Sequence, residues 1–267
     1  MSRGFALPMA IMLVLVAGIL VAAMLESHTA QLLTNQRQIE SYSFAHATRG
    51  VGEAVDAWIR SNGSNAIGDA LDADGLAFDL TTEEGEVLHI YLVDGQGLAL
   101  GDLSGLRGDT LESGRAVLRE LVKGARREAS RFVRGDGPLA VSANTAPIEV
   151  LRAVIAGCGA TDGASLLAGD IIAARSATGV IAQDELQRIL GESTAPDDAK
   201  PRLMAMLTAS PALWRVEAVL DDRTGHPLAA YRAWALITRT TSLAAGDRNS
   251  AVDRPVSLFG WERLETR

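Results

Sequence analysis

Side chains that could do chemistry are few and scattered in this chain. His28, His46, His89 and His226 stand far apart, and none forms a His-Glu-x-x-His pair that would hold a zinc ion beside a general base. Cys158 is the only cysteine, has no histidine close in sequence to draw off its proton, and permits no internal disulfide. Gly95-Gln96-Gly97 and Gly157-Cys158-Gly159 lack the strand, helix and spacing of a dinucleotide loop, so tight turns account for them better. Asp94, Asp221 and Asp222 fall at turns, without the alternating ligand spacing of a calcium loop. A glycine hairpin between helices can offer its amides to a phosphate. Here no Lys or Arg lies between Gly157 and Gly163, Asp162 and Asp170 add negative charge, and Arg152 and Arg175 do not reverse it. The formal net charge of −8 and the pI near 5.1 also disfavour nucleic acid or an anionic surface as partner of the soluble part. No catalytic residue, cofactor or metal site is assigned.

The chemistry that remains is done to the chain, at its start. Met1, Ser2, Arg3 and Gly4 form a short basic leader, followed from Phe5 to Leu25 by an apolar run without a charged residue. At about 1.5 Å per residue a helix of this length spans a hydrocarbon core of about 30 Å. A secretory signal peptide is the alternative, with Val21, Ala22 and Ala23 as its cleavage site, but the apolar run continues past them to Met24 and Leu25. A lipoprotein signal needs a cysteine just after the run, where none stands. An ordinary signal anchor also fits.

The step Arg3-Gly4-Phe5-Ala6-Leu7 resembles the cleavage site of type IV pilins and of type II secretion pseudopilins. The resemblance implies that a prepilin peptidase cuts between Gly4 and Phe5, that the new amino terminus is methylated, and that the apolar segment serves first as membrane anchor and then as filament core. Most pilins carry Glu at the fifth position after the cut, where it is thought to pair with a neighbouring subunit; here Met9 stands there. A carboxylate among lipid tails is kept only where it gains a partner. In the family its absence is typical of the K-type minor pseudopilin at the filament tip, a subunit with no neighbour ahead. Pro8 falls in the first turn, where a missing amide costs little. Small residues such as Ala10, Ala17 and Gly18 would set the fit of this helix against its neighbours.

Beyond Leu25 the helix is expected to continue as a polar, amphipathic stretch to about Ser61. Phe44, Thr48, Val51, Val55 and Trp58 recur at spacings of three and four and form its packing stripe. Ser61-Asn62-Gly63-Ser64 ends it by turn chemistry. Val87 to Val93 is rich in β-formers, and Asp94-Gly95 predicts a tight turn into Leu98, Ala99 and Leu100, hence a hairpin. Thr110 to Glu128 reads as a helix. Trp214 to Leu220 and Leu228 to Ile237 read as strands joined through Asp221-Asp222-Arg223-Thr224-Gly225, with Val256 to Trp261 as a last edge.

Between these, Asn144-Thr145-Ala146-Pro147 leads into an apolar helical face at Ile148, Val150, Leu151 and Val154, with Asn144 or Thr145 as a natural N-cap. The hairpin at Gly157 and Gly159, a second helix and a third around Leu186 follow, so the segment resembles a helix-hairpin-helix unit. Asn144-Thr145-Ala146-Pro147 with Glu149, Val150 and Leu151 is similar to the entry of the helical subdomain in the K-type family. The Asp-Trp-Ile-Asp type segment that usually precedes it is not visible, which implies a reduced subdomain in a divergent member.

The resemblance therefore implies an α+β fold: a pilin-like long N-terminal helix packed on an antiparallel sheet, with an inserted helix-hairpin-helix, SAM-like helical subdomain. Its parts would be a leader at 1–4, a transmembrane helix at 5–25, the periplasmic half of the helix at 26–61, and the first part of the sheet domain at 62–109. The helical subdomain would occupy 110–208, with the helix-hairpin-helix at 144–190, and returning strands with a tail 209–267. The implied role is that of a non-enzymatic minor pseudopilin at or near the tip of a type II secretion pseudopilus. It would sit in the inner membrane with its N-terminus cytoplasmic and its C-terminal domain periplasmic. Its expected partners are prepilin peptidase, other minor pseudopilins and the inner membrane, with no nucleic acid. Calcium is implied by the family alone. The alternatives are a minor pilin of a type IV pilus and a membrane-anchored helix-hairpin-helix protein of DNA binding or uptake.

Overall fold

The computed structural model describes residues 6–62, 67–72, 74–237 and 256–265. Gly4, Phe5 and the Gly63-Ser64 turn lie outside the described residues. The chain divides into two compact units, Met1–Glu53 and Ala54–Arg267.

The described residues of the first unit, 6–53, belong to α1, which runs unbroken over Ala6–Asn62. Past the apolar run the polar side chains are accommodated along the helix itself: Thr29 Oγ1 donates to the Leu25 carbonyl and Thr34 Oγ1 to that of Ala30, each at 2.8 Å. The predicted stripe is present with one addition. Val51, Val55 and Ile59 are buried at a spacing of four, while Phe44, Thr48 and Trp58 are half-buried. Ile59 extends the stripe because a helix of 3.6 residues per turn carries an i+4 row slowly around its axis.

The second unit begins with the last turns of α1, where Trp58 stacks on Phe78 with ring centroids 6.0 Å apart. After the short α2 (Ile67–Ala70) come β1 (Leu76–Thr81) and β2 (Val87–Asp94), then β3 (Ala99–Leu100). Next are α3 (Gly108–Ala125), a 3-10 segment Arg126–Phe132, β4 (Val133–Arg134), β5 (Val141–Ser142), α4 (Ile148–Gly157), α5 (Ala164–Thr178), α6 (Gln183–Glu192) and α7 (Lys200–Met206). The chain finishes with β6 (Leu207–Thr208), β7 (Leu213–Asp221), β8 (Pro227–Ile237) and β9 (Val256–Leu264). The fold is α+β.

A five-stranded antiparallel sheet has the order β1-β2-β7-β8-β9. Its buried positions alternate along the strands as a half-covered sheet requires: Ile90 and Leu92 on β2, Trp214, Val216 and Ala218 on β7, Ala233 and Ala235 on β8. The β7–β8 hairpin closes through Asp222–His226, where Gly225 takes φ 81. β9 lies at an edge, where the last strand was expected.

One expected hairpin is absent. β2 does not turn at Asp94-Gly95 to pair with Leu98–Leu100; it pairs with β1 on one side and β7 on the other, and β3 runs parallel to β4. The hairpin lies upstream instead, at Thr82–Glu86, with Gly85 at φ 82. Gly95 is required for a different reason, since a Cβ there would run into the Trp234 ring.

The sheet is interrupted at its middle. Asp94 and Trp214 are register partners on adjacent strands, so the chain leaves the sheet and re-enters beside its point of departure. Everything between β2 and β7, 95–212, is an insert dominated by helices. Its core gathers Val117 and Leu121 of α3, Val150, Leu151, Val154 and Ile155 of α4, Leu167 and Ile171 of α5, Leu186 and Leu190 of α6 and Leu203 of α7. α4 is buried on most of its surface, which explains why its sequence is almost wholly apolar. Gly157, the last residue of α4, lets it press on α3: a Cβ there would sit 2.8 Å from the Val117 amide nitrogen.

Candidate functional site

Two regions bear on function: the outer face of α1 and the point where sheet and helical insert join. Among the described residues α1 is the helix long and apolar enough to cross a membrane, and its apolar stretch is not buried. Val14, Leu20, Val21, Met24 and Leu25 are each more than half exposed. Ala17 and Gly18 are exposed among them, and a Cβ added at Gly18 would touch nothing within 4 Å. Met9 and Ala10 lie in the first turns of α1. So many uncovered apolar side chains in one patch mark a surface for lipid or protein, not for water.

The Asn144-Thr145-Ala146-Pro147 motif braces the insert mainly from within. Asn144 does not cap α4, nor does Thr145; Pro147 takes the N-cap position in an extended conformation, without a side-chain cap. Asn144 is committed elsewhere. Its Nδ2 donates to the carbonyls of Ile181 and Ala209 at 3.2 Å each, and its Oδ1 accepts from the Ile181 amide at 2.8 Å. One amide side chain thereby ties the loop before α6 to the strand return after β6. Ala146 is fully buried and its carbonyl accepts from Arg175 at 2.7 Å. Arg175 also reaches the carbonyls of Ala143 and Asn144, so this cation works inside the insert and is not presented to a phosphate. Thr145 lies so close to Gly97 that a Cβ on the glycine would fall 2.9 Å from the Thr145 carbonyl carbon.

Beside the motif is a polar junction that the sequence did not announce. Gln96 is 1% exposed and makes contacts in three directions. Its Nε2 donates to Ala140 O at 2.8 Å, and its Oε1 accepts from the amides of Ala212 at 2.7 Å and Leu213 at 3.2 Å. Its own carbonyl accepts from Ser142 N at 3.0 Å. Arg134, also buried, donates to the carbonyls of Leu98, Asp136, Pro138 and Ala140. Burial pushes its guanidinium down to about 10, which leaves it charged at neutral pH. Asp94 completes the junction. Its Oδ1 accepts from Gln96 N at 2.8 Å, its Oδ2 from Ser142 Oγ at 2.5 Å, and Thr145 bonds it as well.

No protein-family model and no curated protein matches the chain. Among solved structures it is similar to a chain in the crystal structure of the GspK-GspI-GspJ complex from the type 2 secretion system of enterotoxigenic Escherichia coli. The sequence identity is 10% and the TM-score 0.45, over 87% of this chain and 99% of that one. A likeness of that size fixes neither partners nor an activity.

The remaining candidates resolve into structural roles. The hairpin after α4 starts at Cys158, with Gly159 at φ 102, and Arg202 of α7 lies beside it, paired with Asp198 at 2.7 Å. Sequence spacing gave no sign of Arg202, because α7 reaches the hairpin only through the fold. Burial pushes the Cys158 thiol up to about 11, the opposite of an activated thiolate. Asp222 is held down to about 2 by the Thr224 hydroxyl, then by the amides of His226 and Thr224; its carboxylate is the acceptor that closes the β7–β8 turn. Among the described residues no group of three His, Cys, Asp or Glu side chains is disposed to hold a metal ion.

The junction gives a prediction with a definite sign. Desolvation raises the Asp94 carboxyl above its ordinary value of 3.8, against the hydrogen bonds and Arg134 that lower it. A raised folded-state value means that stability is fully present below the unfolded value and is lost as pH rises through the folded one. Asp94→Asn, which keeps one of the two acceptor oxygens and carries no charge, is therefore expected to lose ground to the wild type as pH falls toward about 4. Asp94→Ala, which strands Gln96 N and Ser142 Oγ, is expected to cost about 2–3 kcal/mol at pH 7. Urea denaturation of the three proteins at several pH values measures both.

Proposed function

We propose that this chain is a minor pseudopilin of the K type, acting in a type II protein secretion system at or near the tip of the pseudopilus. In this reading Phe5–Leu25 holds it in the bacterial inner membrane, prepilin peptidase cuts between Gly4 and Phe5 from the cytoplasmic side, and the rest lies in the periplasm. Assembly exchanges lipid for neighbouring helices over the apolar face of α1, where Ala10, Ala17 and Gly18 permit close approach. Met9 suits a subunit with nothing ahead of it, since a carboxylate among lipid tails is costly unless it gains a partner. Its partners would be the other minor pseudopilins, met through α1 and the soluble domain.

The observation that carries the reading is a combination on one chain. A Gly4-Phe5 step precedes a continuous helix that ends in a unit whose antiparallel sheet is split by a helical insert, and Asn144 braces that insert from within. Gly4→Val tests the processing step. Coexpressed with prepilin peptidase, the wild type is expected to shorten by the leader and the variant to stay full length; equal processing of the two would count against the proposal.

A further inference from the structure

The helical insert carries a trough that the proposed function does not use. α3 and α7 both pack on α4 and leave between them a cavity of about 820 Å³, a size usual for binding sites. Its floor is apolar, from Leu139, Gly157 and Met206. Its walls are bare, with Ser113 and Ala116 on α3 facing Pro201 and Ala205 on α7, which leaves room for the backbone of another chain.

The charged side chains of the trough are sorted to its two ends. Asp109 and Glu112 line it at the start of α3, and Arg119 lines it further along the same helix. Leu139 meets Gly114 and Gly157 meets Val117, so the trough runs along α3 toward the hairpin after α4. Arg202, which reaches in from α7, lies beside Gly159 and so stands at the same end as Arg119. Asp109, Glu112, Ala116, Arg119 and Lys123 follow a three-four spacing that keeps them on one line of the helix, and Arg126 at its C-cap prolongs that line. From Ser113 to Arg127 the cations Arg115, Arg119, Lys123, Arg126 and Arg127 stand against Glu120 alone, in a chain of net charge −8. Arg115 and Lys123 are paired with Glu112 and Glu120, whereas Arg119 and Arg126 have no carboxylate partner among the described residues. The helix dipole accounts for Lys123 in the last turn, but it fades before Arg119 and does not concern Arg202 on another helix. Arg126 takes φ 48, a conformation that glycine fills at less cost, so a cation is kept there against the backbone preference.

These features select the occupant. It must be apolar over the floor and anionic at the hairpin end. A nucleic acid or an anionic lipid surface spreads its charge evenly and would bring it against Asp109 and Glu112 as well as against the arginines; a peptide can confine its carboxylates to one end. At 1.5 Å per residue the line from Asp109 to Arg126 is about 25 Å long, which is matched by about eight residues of extended chain.

We infer that the trough between α3 and α7 binds an extended segment of a partner protein, apolar in the half that lies over Leu139, Gly157 and Met206 and rich in Asp and Glu in the half that meets Arg119, Arg202, Lys123 and Arg126. The site is built from the insert alone. It therefore goes beyond the proposed function and is independent of anchoring and of processing at Gly4.

Fluorescence polarisation with the full-length protein in phosphatidylcholine nanodiscs tests it. The probes are fluorescein-labelled octapeptides in three panels: one half drawn from Ala, Val, Leu and Phe with Asp and Glu in the other half, the same with Lys and Arg for the acids, and one in which acids and apolar residues alternate. The first panel is expected to contain peptides that bind saturably and at least about tenfold more tightly than the best of the other two. That binding should weaken as salt is raised. Joint Arg119→Glu and Arg202→Glu, and separately Ala205→Trp, which fills the slot, are each expected to weaken it at least about tenfold. Arg37→Glu on α1, an equal change per residue elsewhere, should leave it unchanged. All four positions are exposed, so the variants are expected to keep the fold. No saturable binding in the first panel, equal binding of the alternating panel, or binding that survives the changes in the trough would overturn the inference. So would tighter binding of a short DNA duplex or of dihexanoylphosphatidylglycerol through the same arginines. Any of these results would leave the proposed function standing, and loss of processing at Gly4 would leave the trough standing.

Discussion

Gln96→Ala is expected to lower the unfolding free energy by about 3–5 kcal/mol, although residue 96 lies in no helix or strand. Truncation removes one donor and one acceptor at once; it leaves two backbone groups, Ala212 N and Leu213 N, without this acceptor, while Ala140 O keeps its bond from Arg134. Each buried group stranded in this way costs about 1–3 kcal/mol, whereas the lost side chain itself contributes little apolar burial. The effect should spread beyond the site. Ala212 and Leu213 are where the chain returns to the sheet, so loosening them frees the insert and the centre of the sheet together. Urea denaturation of the full-length protein in detergent, followed by the fluorescence of Trp214 and Trp234, measures it. A loss below about 1 kcal/mol would mean that the junction does not hold the two parts of the domain together.

The second large effect concerns two glycines of the insert, expected to respond in opposite directions. Gly157→Ala places a Cβ 2.8 Å from the amide nitrogen of Val117 and 3.0 Å from its Cα. Those are backbone atoms of α3, so relief requires moving one helix away from the other across the densest part of the core. A cost of about 3 kcal/mol is expected, and Gly157→Val should exceed it. Gly169 lies inside α5 with nothing within 4 Å of its added Cβ. Gly169→Ala is therefore expected to stabilise the protein by about 0.5–1 kcal/mol through helix propensity alone. Thermal unfolding of both variants beside the wild type decides the matter, and a shared sign would contradict the close α3–α4 contact.

What could be read from the residues divides along a physical line. Periodic features were legible: the apolar run, the packing stripe on α1, and the alternation of β7 and β8 with the Asp221 to Gly225 turn between them. These depend on neighbours a few positions away. Asp94-Gly95 offers the same local chemistry as a turn and misled for that reason. The Gly95 requirement comes from Trp234, far along the chain, and no local rule contains it. Asn144 misled in the same way, because an Asn ahead of a helix is a good cap unless something stronger claims it. Here Ile181 and Ala209 do. The polar junction was invisible for a further reason. Gln96 and Arg134 bond mainly to backbone carbonyls and amides, which every residue carries, so no second side chain in the sequence advertises the partner. The place of the Asn144 to Pro147 motif was found by resemblance, but its work became plain only from its hydrogen bonds.

The junction also gives the proposed role a mechanical sense. A subunit drawn from the membrane by its helix must carry its soluble domain as one body. An insert of helices set into the middle of a sheet would hinge at its two connections unless they were tied. Asp94, bonded to Ser142, and Gln96, bonded to Ala212 and Leu213, tie the insert to the sheet.

The central claim is that the apolar start of this chain is a processed pseudopilin anchor, and the mature amino terminus tests it most directly. Mass spectrometry of the full-length protein, made with and without prepilin peptidase, should show a chain beginning at N-methylated Phe5 only when the peptidase is present. A chain that keeps Met1 through Gly4 in its presence, or one cut near Ala23, would contradict the account.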